Sequence, residues 1–279
     1  MEKLLVTTDF SENSKAAIRF ALQLADQGGF RLFFMHVTEL LKPVKWSDAY
    51  FSNYEQKELT TLEQQMKALV MEVSSQTGST VIHPEYVVKN SSSVPASVVH
   101  YAQQHDISYI CIGRTGGGNR LKLFGSVVST LLEKSNVPVI AVPEEYQPTT
   151  VRTVCYASDL ERVEHELPAV LKFSKPLNAS LELLHFLGPV SDGDTNNGQL
   201  NCVEKMLIEN EVSKHFEPID IEVSLADKLA SAISGLRPSI LVMFTRQDRS
   251  FFERLFRSSI SAEVAAEASI PLLAFRKPD

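Results

Sequence analysis

Strand-like and helix-like runs alternate along the first half of the chain, and then the alternation starts over. Leu4 to Thr8 is a short apolar run followed by Asp9-Phe10-Ser11, with Ser11 placed to cap a helix. Ala16, Ala17, Phe20, Ala21, Leu24 and Ala25 recur at helical spacing until Gly28-Gly29 stops them. Leu32 to Val37 reads as a strand that is apolar apart from His36. After a loop over Thr38 to Tyr50, a second helix carries Leu59, Leu62, Met66, Leu69, Val70 and Val73 on one face. Val81 to Val88 reads as a third strand, and Val94, Val98, Val99 and Ala102 mark a third helix. Ile107 to Ile112 is a fourth strand, Ser126 to Glu133 a fourth helix and Val137 to Val142 a fifth strand. This alternation predicts a parallel sheet covered on both faces, with ligands bound beyond the carboxyl ends of its strands.

The second half repeats the order. Val151 to Leu160 echoes Leu4 to Phe10, placing Asp159 under Asp9 at an offset of 150 residues. Leu184-His185-Phe186 echoes Met35-His36-Val37, and Ile270 to Phe275 echoes Val137 to Val142 with its proline. A duplication explains this conserved order. The prediction is α/β: two tandem doubly wound domains, 1–146 and 150–279, each a five-stranded parallel sheet with helices on both faces. A length of 279 residues suits two such domains. Glu144 to Thr150, which includes Pro148, reads as the linker. Asp192 to Gly198 reads as a flexible loop of the second domain, without the later Glu that a calcium loop requires.

The chemistry concentrates between the fourth strand and the fourth helix. Four of the 12 glycines fall within Gly113 to Gly118, and Gly125-Ser126 opens the helix. Glycine lets the backbone come close to a ligand, and a helix N-terminus attracts anions through its unpaired N–H groups. Arg114, Arg120 and Lys122 lie in this stretch, and no acidic residue occurs between Ile107 and Leu132. In a chain of net charge −7, that bias reads as a phosphate site. The spacing is neither a Walker loop nor the Rossmann fingerprint.

The loop resembles the universal stress protein ATP signature, Gly-x2-Gly-x9-Gly-Ser/Thr. Gly113, Gly116 and Gly125-Ser126 fill it, with one residue fewer in the long spacer. Asp9 in Thr-Asp-Phe-Ser-Glu-Asn-Ser, His36-Val37 and Asn136-Val137-Pro138-Val139 extend the resemblance over the first half and, more faintly, the second. It implies an adenine nucleotide alpha hydrolase-like fold that binds ATP, or AMP or ADP, with or without magnesium. By the same resemblance Asp9 would accept hydrogen bonds from ribose or adenine, and Val37 would pack on adenine with Ile112 nearby. Gly113 and Gly116 would present backbone to sugar and phosphates. Gly125, Ser126 and Val127 would hold phosphate oxygens, and Arg114, Arg120 or Lys122 would neutralise the outer ones. The plain alternatives are a helix-capping carboxylate for Asp9 and core packing for Val37. The resemblance also implies that the fifth strands of the two domains pair within one chain, a pseudo-dimer, with a homodimer as a further assembly.

The second copy lacks this signature. Phe244, Gln247 and Arg257-Ser258 stand where the glycines would, so bulky side chains are expected to fill the phosphate space. One nucleotide per chain is the expectation. The segment from Thr245 to Arg257, with four Arg and three Phe, is a candidate partner surface.

Elsewhere the sequence mostly excludes. A net charge of −7 argues against a nucleic-acid partner. The apolar runs are too short to span a membrane, and no leader is expected before Lys3. Cys111, Cys155 and Cys202 are odd in number and far apart, which excludes a disulfide framework or a Cys-x-x-Cys metal site and suits a cytoplasmic location. Cys111 and Cys155, in apolar runs, read as core thiols. His36 and His185, at equivalent strand ends, read as structural histidines. No serine-hydrolase elbow, zinc-protease helix or catalytic carboxylate pair occurs. The expected function is therefore nucleotide binding in a stress-response or regulatory role, with unidentified protein clients and no committed catalysis. The alternative is a scaffold or interaction module whose nucleotide site is vestigial.

Overall fold

The computed structural model describes residues 1–80, 82–114, 126–187, 195–218, 223, 225–245 and 270–277. The chain divides into two compact units, with the cut between Pro148 and Thr149.

In the first unit the elements run β1 (Lys3–Thr7), α1 (Glu12–Gly28), β2 (Arg31–Thr38), α2 (Asp48–Thr77) and β3 (Glu85–Asn90). They continue with α3 (Val94–Gln104), β4 (Tyr109–Arg114), α4 (Ser126–Lys134) and β5 (Val139–Pro143). The strands lie in the order β3-β2-β1-β4-β5, every pair parallel. The chain therefore leaves β1 in one direction and returns to its other side at β4. Connections above β1 and β4 diverge there, which opens a crevice at the strands' carboxyl ends.

Local chemistry sets the element ends. Ser11 caps α1 by accepting from Ser14 N–H at 3.3 Å. Gly29, at φ 68°, ends the helix in the left-handed conformation and donates its N–H to Ala25 O. The inner face of α1 is rich in small residues, Ala16, Ala17 and Ala21 all being fully buried. That lets the helix lie close on the sheet. The second helix starts earlier than its apolar face, because Ser47 caps it. Met66, Leu69, Val70 and Val73 are buried, whereas Leu59 and Leu62 are half-buried.

Some expectations shift. The third strand begins at Glu85, not at Val81: His83 takes a left-handed φ of 48°, and Pro84 has no N–H to give to a ladder. Val81 itself lies outside the described residues. The linker starts later than Glu144, because Tyr146 is buried edge-on against Phe20 and its carbonyl accepts from Arg19 Nε at 3.2 Å. Cys111 and Cys155 are buried as their settings implied, and burial pushes the Cys155 thiol up to about 12 and raises Cys111 too.

The second unit runs β6 (Thr153–Ala157), α5 (Val163–Ser174), a 3-10 turn (Lys175–Leu177), β7 (Ser180–Leu187) and α6 (Thr195–Glu209). It continues with β8 (Ser213–Pro218), α7 (Leu225–Leu236), β9 (Ile240–Thr245) and β10 (Leu272–Arg276). Its order, β10-β9-β6-β7-β8 with parallel pairs, repeats the first unit's winding. Thr195 to Gly198, expected as loop, belong to the start of α6. The rest of that loop lies outside the described residues.

Candidate functional site

The turn from β1 into α1 builds one wall of the first unit's crevice. Phe10 sits at φ 65°, a left-handed conformation that costs a non-glycine residue roughly 1–2 kcal/mol. Local hydrogen bonds hold it there. Phe10 N–H donates to Thr8 Oγ1 at 3.1 Å, and Ser11 N–H and Oγ donate to Asp9 Oδ1 at 3.1 and 2.5 Å. His36 fixes the turn from β2, with Nδ1 2.8 Å from Thr8 O. A carbonyl only accepts, so Nδ1 carries the proton. The ring of His36 also packs on Phe10, centroids 4.6 Å apart. This histidine is structural, as its sequence position suggested.

Behind the turn lies a cavity of about 370 Å³. Met35, Val37 and Ile112 from the strands and Val94 and Val98 from α3 give it an apolar side. Thr8, Asp9, Asn13 and Ser14 give it a polar side, and Ser126 and Val127 bring the start of α4 to its rim. Six of the site residues read from the sequence thus line one cavity: Asp9, Val37, Ile112, Gly113, Ser126 and Val127. Gly116 and Gly125 lie outside the described residues, as do Arg120 and Lys122.

One sequence reading gains a second role and another changes. Gly113 has a role inside the protein: a Cβ there would lie 2.0 Å from Asn13 O and 2.4 Å from Asn13 C. Its missing side chain is what lets the first turn of α1 close on β4. Arg114 is only 3% exposed and is not part of the cavity lining. Burial pulls its guanidinium down to about 10, with the Glu145 carboxylate opposing the shift. A side chain so enclosed is not placed to neutralise a ligand's outer phosphates.

The sequence reading missed Asn13, Ser14 and the Val94–Val98 pair. The signal was there, in a run of hydroxyl and amide side chains at a strand end and two valines one helical turn apart. Asn13 is informative, because its Oδ1 is buried with no hydrogen-bond partner among the described residues. A buried amide group of this kind calls for a partner, whichever way the amide is turned.

The second unit repeats the backbone hydrogen bonds of the turn, but Glu161 stands where Ser11 does and supplies no hydroxyl cap. Leu160 sits at φ 64°, its N–H donates to Ser158 Oγ at 3.1 Å, and Glu161 N–H donates to Asp159 Oδ1 at 3.0 Å. His185 Nδ1 lies 2.8 Å from Ser158 O. A cavity of about 270 Å³ lies in the corresponding position, lined by Asp159, Phe186, Leu225, Leu229, Met243 and Phe244 among others. The expected filling of this space by bulky groups is therefore not complete. Phe244 stands where Gly113 does, but its ring lies on Phe275, centroids 4.8 Å apart and planes 12° apart, and space remains beside it. Gln247, Arg257 and Ser258, and most of the Thr245 to Arg257 segment, fall outside the described residues.

The polar groups of the second cavity differ. The Lys277 ammonium binds both Asp159 Oδ2 and, at 2.9 Å, Glu161 Oε2. Glu166 replaces Ala16 on the helix and accepts a hydrogen bond from the buried Tyr156 hydroxyl, which replaces Val6. Burial raises the Glu166 carboxyl above the usual range, and the Tyr156 hydrogen bond only partly offsets this.

A doubly wound parallel sheet with a cavity at its switch point places the chain among the open α/β folds, which bind their ligands beyond the carboxyl ends of the strands. The chain belongs to the universal stress protein family, which matches residues 1–143. A universal stress protein from Archaeoglobus fulgidus DSM 4304 superposes with a TM-score of 0.68 at 19% identity, covering 99% of this chain and 98% of that one. A protein of unknown function from Pseudomonas aeruginosa PAO1 gives 0.60 at 14% identity, covering 99% and 92%. At such identities the likeness concerns the fold, and it extends over both units. No curated protein matches the chain. Among the described residues, no helix is long and apolar enough to cross a membrane, and no cluster of His, Cys, Asp and Glu is suited to hold a metal ion.

Proposed function

We propose that the first unit binds an adenine nucleotide of the ATP type, and that the protein works through this binding in a stress-response or regulatory role. The observation that carries the proposal is the convergence of Asp9, Val37, Ile112, Ser126 and Val127 on one cavity. Its volume falls within the roughly 300–1,000 Å³ of small-molecule sites. Val37, Ile112 and Val98 offer a flat ring an apolar slot. Asp9 and the Asn13 amide, whose Oδ1 has no partner among the described residues, meet its exocyclic amine or the ribose hydroxyls. The N–H groups that open α4 would meet the phosphate end, with Arg120 and Lys122 of the glycine-rich sequence as the cations for its outer oxygens.

The same lining supports binding without fast chemistry. Among the described lining residues Asp9 is the one titratable group, and its Oδ1 is already held by Ser11. A general base needs a positioned lone pair within reach of the proton it removes, and in this reading Asp9 gives its remaining lone pairs to the nucleoside. ADP or AMP would use the same adenine and ribose contacts, with or without magnesium on the phosphates.

Methionine-methyl NMR on the full chain tests the reading, because Met35 lines the cavity. Titration with ATP is expected to shift the Met35 methyl with a dissociation constant of about 1–100 μM. A Met35 signal unmoved at roughly 5 mM ATP would refute it.

A further inference from the structure

The second unit holds a cavity that the nucleotide reading leaves without a role. From it we infer a second ligand site, one that takes a compact aromatic or heteroaromatic amine or amidine and rejects phosphates.

Three observations lead there. The first is Glu166, which lines the cavity and is 1% exposed. Its Oε2 accepts from Tyr156, while Oε1 is buried with no hydrogen-bond partner among the described residues. A buried carboxyl oxygen without a partner, on a residue that lines a cavity, asks for an N–H donor. It has no use for the acceptor-only oxygens of a phosphate.

The second is the charge around it. Asp159, on the rim, is matched by Lys277, but that same ammonium is shared with Glu161. Counting Glu166, the described groups hold three carboxyls against one cation. Among the described groups, that balance favours a positive or donor-bearing guest over an anion.

The third is shape. Leu184, Phe186, Leu225, Leu229, Met243 and Phe244 form the apolar remainder. Phe244, lying flat on Phe275, offers a ring face on which a planar guest can stack. An apolar slot with one deep carboxyl is the pattern that pairs with an amidine or aromatic amine, the N–H groups going to Glu166 and the ring to Phe244. Nothing in this site depends on the nucleotide reading of the first unit.

The test uses methionine-methyl NMR on the full chain, since Met243 lines this cavity and Met35 the other. The probe is benzamidine, and benzoate serves as the anionic molecule of matching shape. Benzamidine is expected to shift Met243 saturably with a dissociation constant of about 1 mM or below, and to leave Met35 in place. Benzoate is expected to move neither. Glu166→Gln should weaken benzamidine binding about tenfold while Met35 and the other methyl signals keep their positions. Should that variant fail to fold, Leu229→Trp fills the slot instead and should abolish the Met243 response. An unmoved Met243, an equal response to benzoate, or a shift of Met243 by ATP would each overturn the inference. Failure of ATP to move Met35 would count only against the first site.

Discussion

Two copies of one turn, Thr8 to Ser11 and Ser158 to Glu161, share their backbone N–H hydrogen bonds and their left-handed residue, yet they front different cavities. In the first, Val6 and Ala16 are apolar core under the turn, and Gly113 lets α1 close down on the sheet. In the second, Tyr156 and Glu166 put a buried hydroxyl–carboxyl pair in those places, and Phe244 brings a ring where no side chain stood. Among the described residues Asp9 is held by Ser11, whereas Asp159 is clamped by Lys277, whose counterpart in the first unit is Glu144. The difference teaches that the frame of this fold and the contents of its crevice are separable. Backbone hydrogen bonds keep the turn, and a few side chains behind it decide what the crevice accepts.

The sharpest way to break the comparison is at Gly113. Gly113→Ala sets a Cβ against Asn13 backbone and should destabilise the first unit by about 3 kcal/mol in urea unfolding. A variant as stable as the parent would mean that α1 does not approach β4 as described.

Next in size is a paired exchange at the apolar wall. Val37→Asp should weaken ATP binding by about 2 kcal/mol in calorimetric titration, since it sets a charge against the adenine slot. Phe186→Asp, its counterpart, should leave ATP affinity unchanged and instead perturb the second cavity. Equal effects of the two would erase the distinction between the units.

The smallest effect concerns Lys277. Burial lowers its pKa, but its hydrogen bonds to Asp159 and Glu161 outweigh this and raise it above the ordinary 10.5. A raised lysine contributes stability that is fully present below 10.5 and is lost as pH rises through the folded value. Lys277→Met should therefore cost about 1 kcal/mol at neutral pH, the carboxylates being half-exposed, and the gap should close in alkali. Unfolding curves at pH 7 and pH 11 measure it.

Much of this was legible in the sequence because it is local or periodic. The alternation of apolar runs, the Ser11 cap and the Gly29 stop each follow from residues within one turn of one another. The repeat showed itself through Asp9 and Asp159, His36 and His185. The polar run ahead of α1 was visible too, but nothing local tells which of its side chains faces a ligand. Pro84 and the φ of His83 moved the third strand, and a strand boundary depends on which backbone groups find partners across the sheet.

The sequence by itself determined the winding of both halves and the residue types available to the crevice, since period and turn chemistry are short-range properties. Only the tertiary structure decided that Gly113 serves helix packing, that Arg114 is enclosed, and that Glu166 ends beside an apolar slot with one oxygen unmatched. Each of those facts is a contact between segments far apart in the chain, and burial and hydrogen-bond satisfaction exist only once those segments meet.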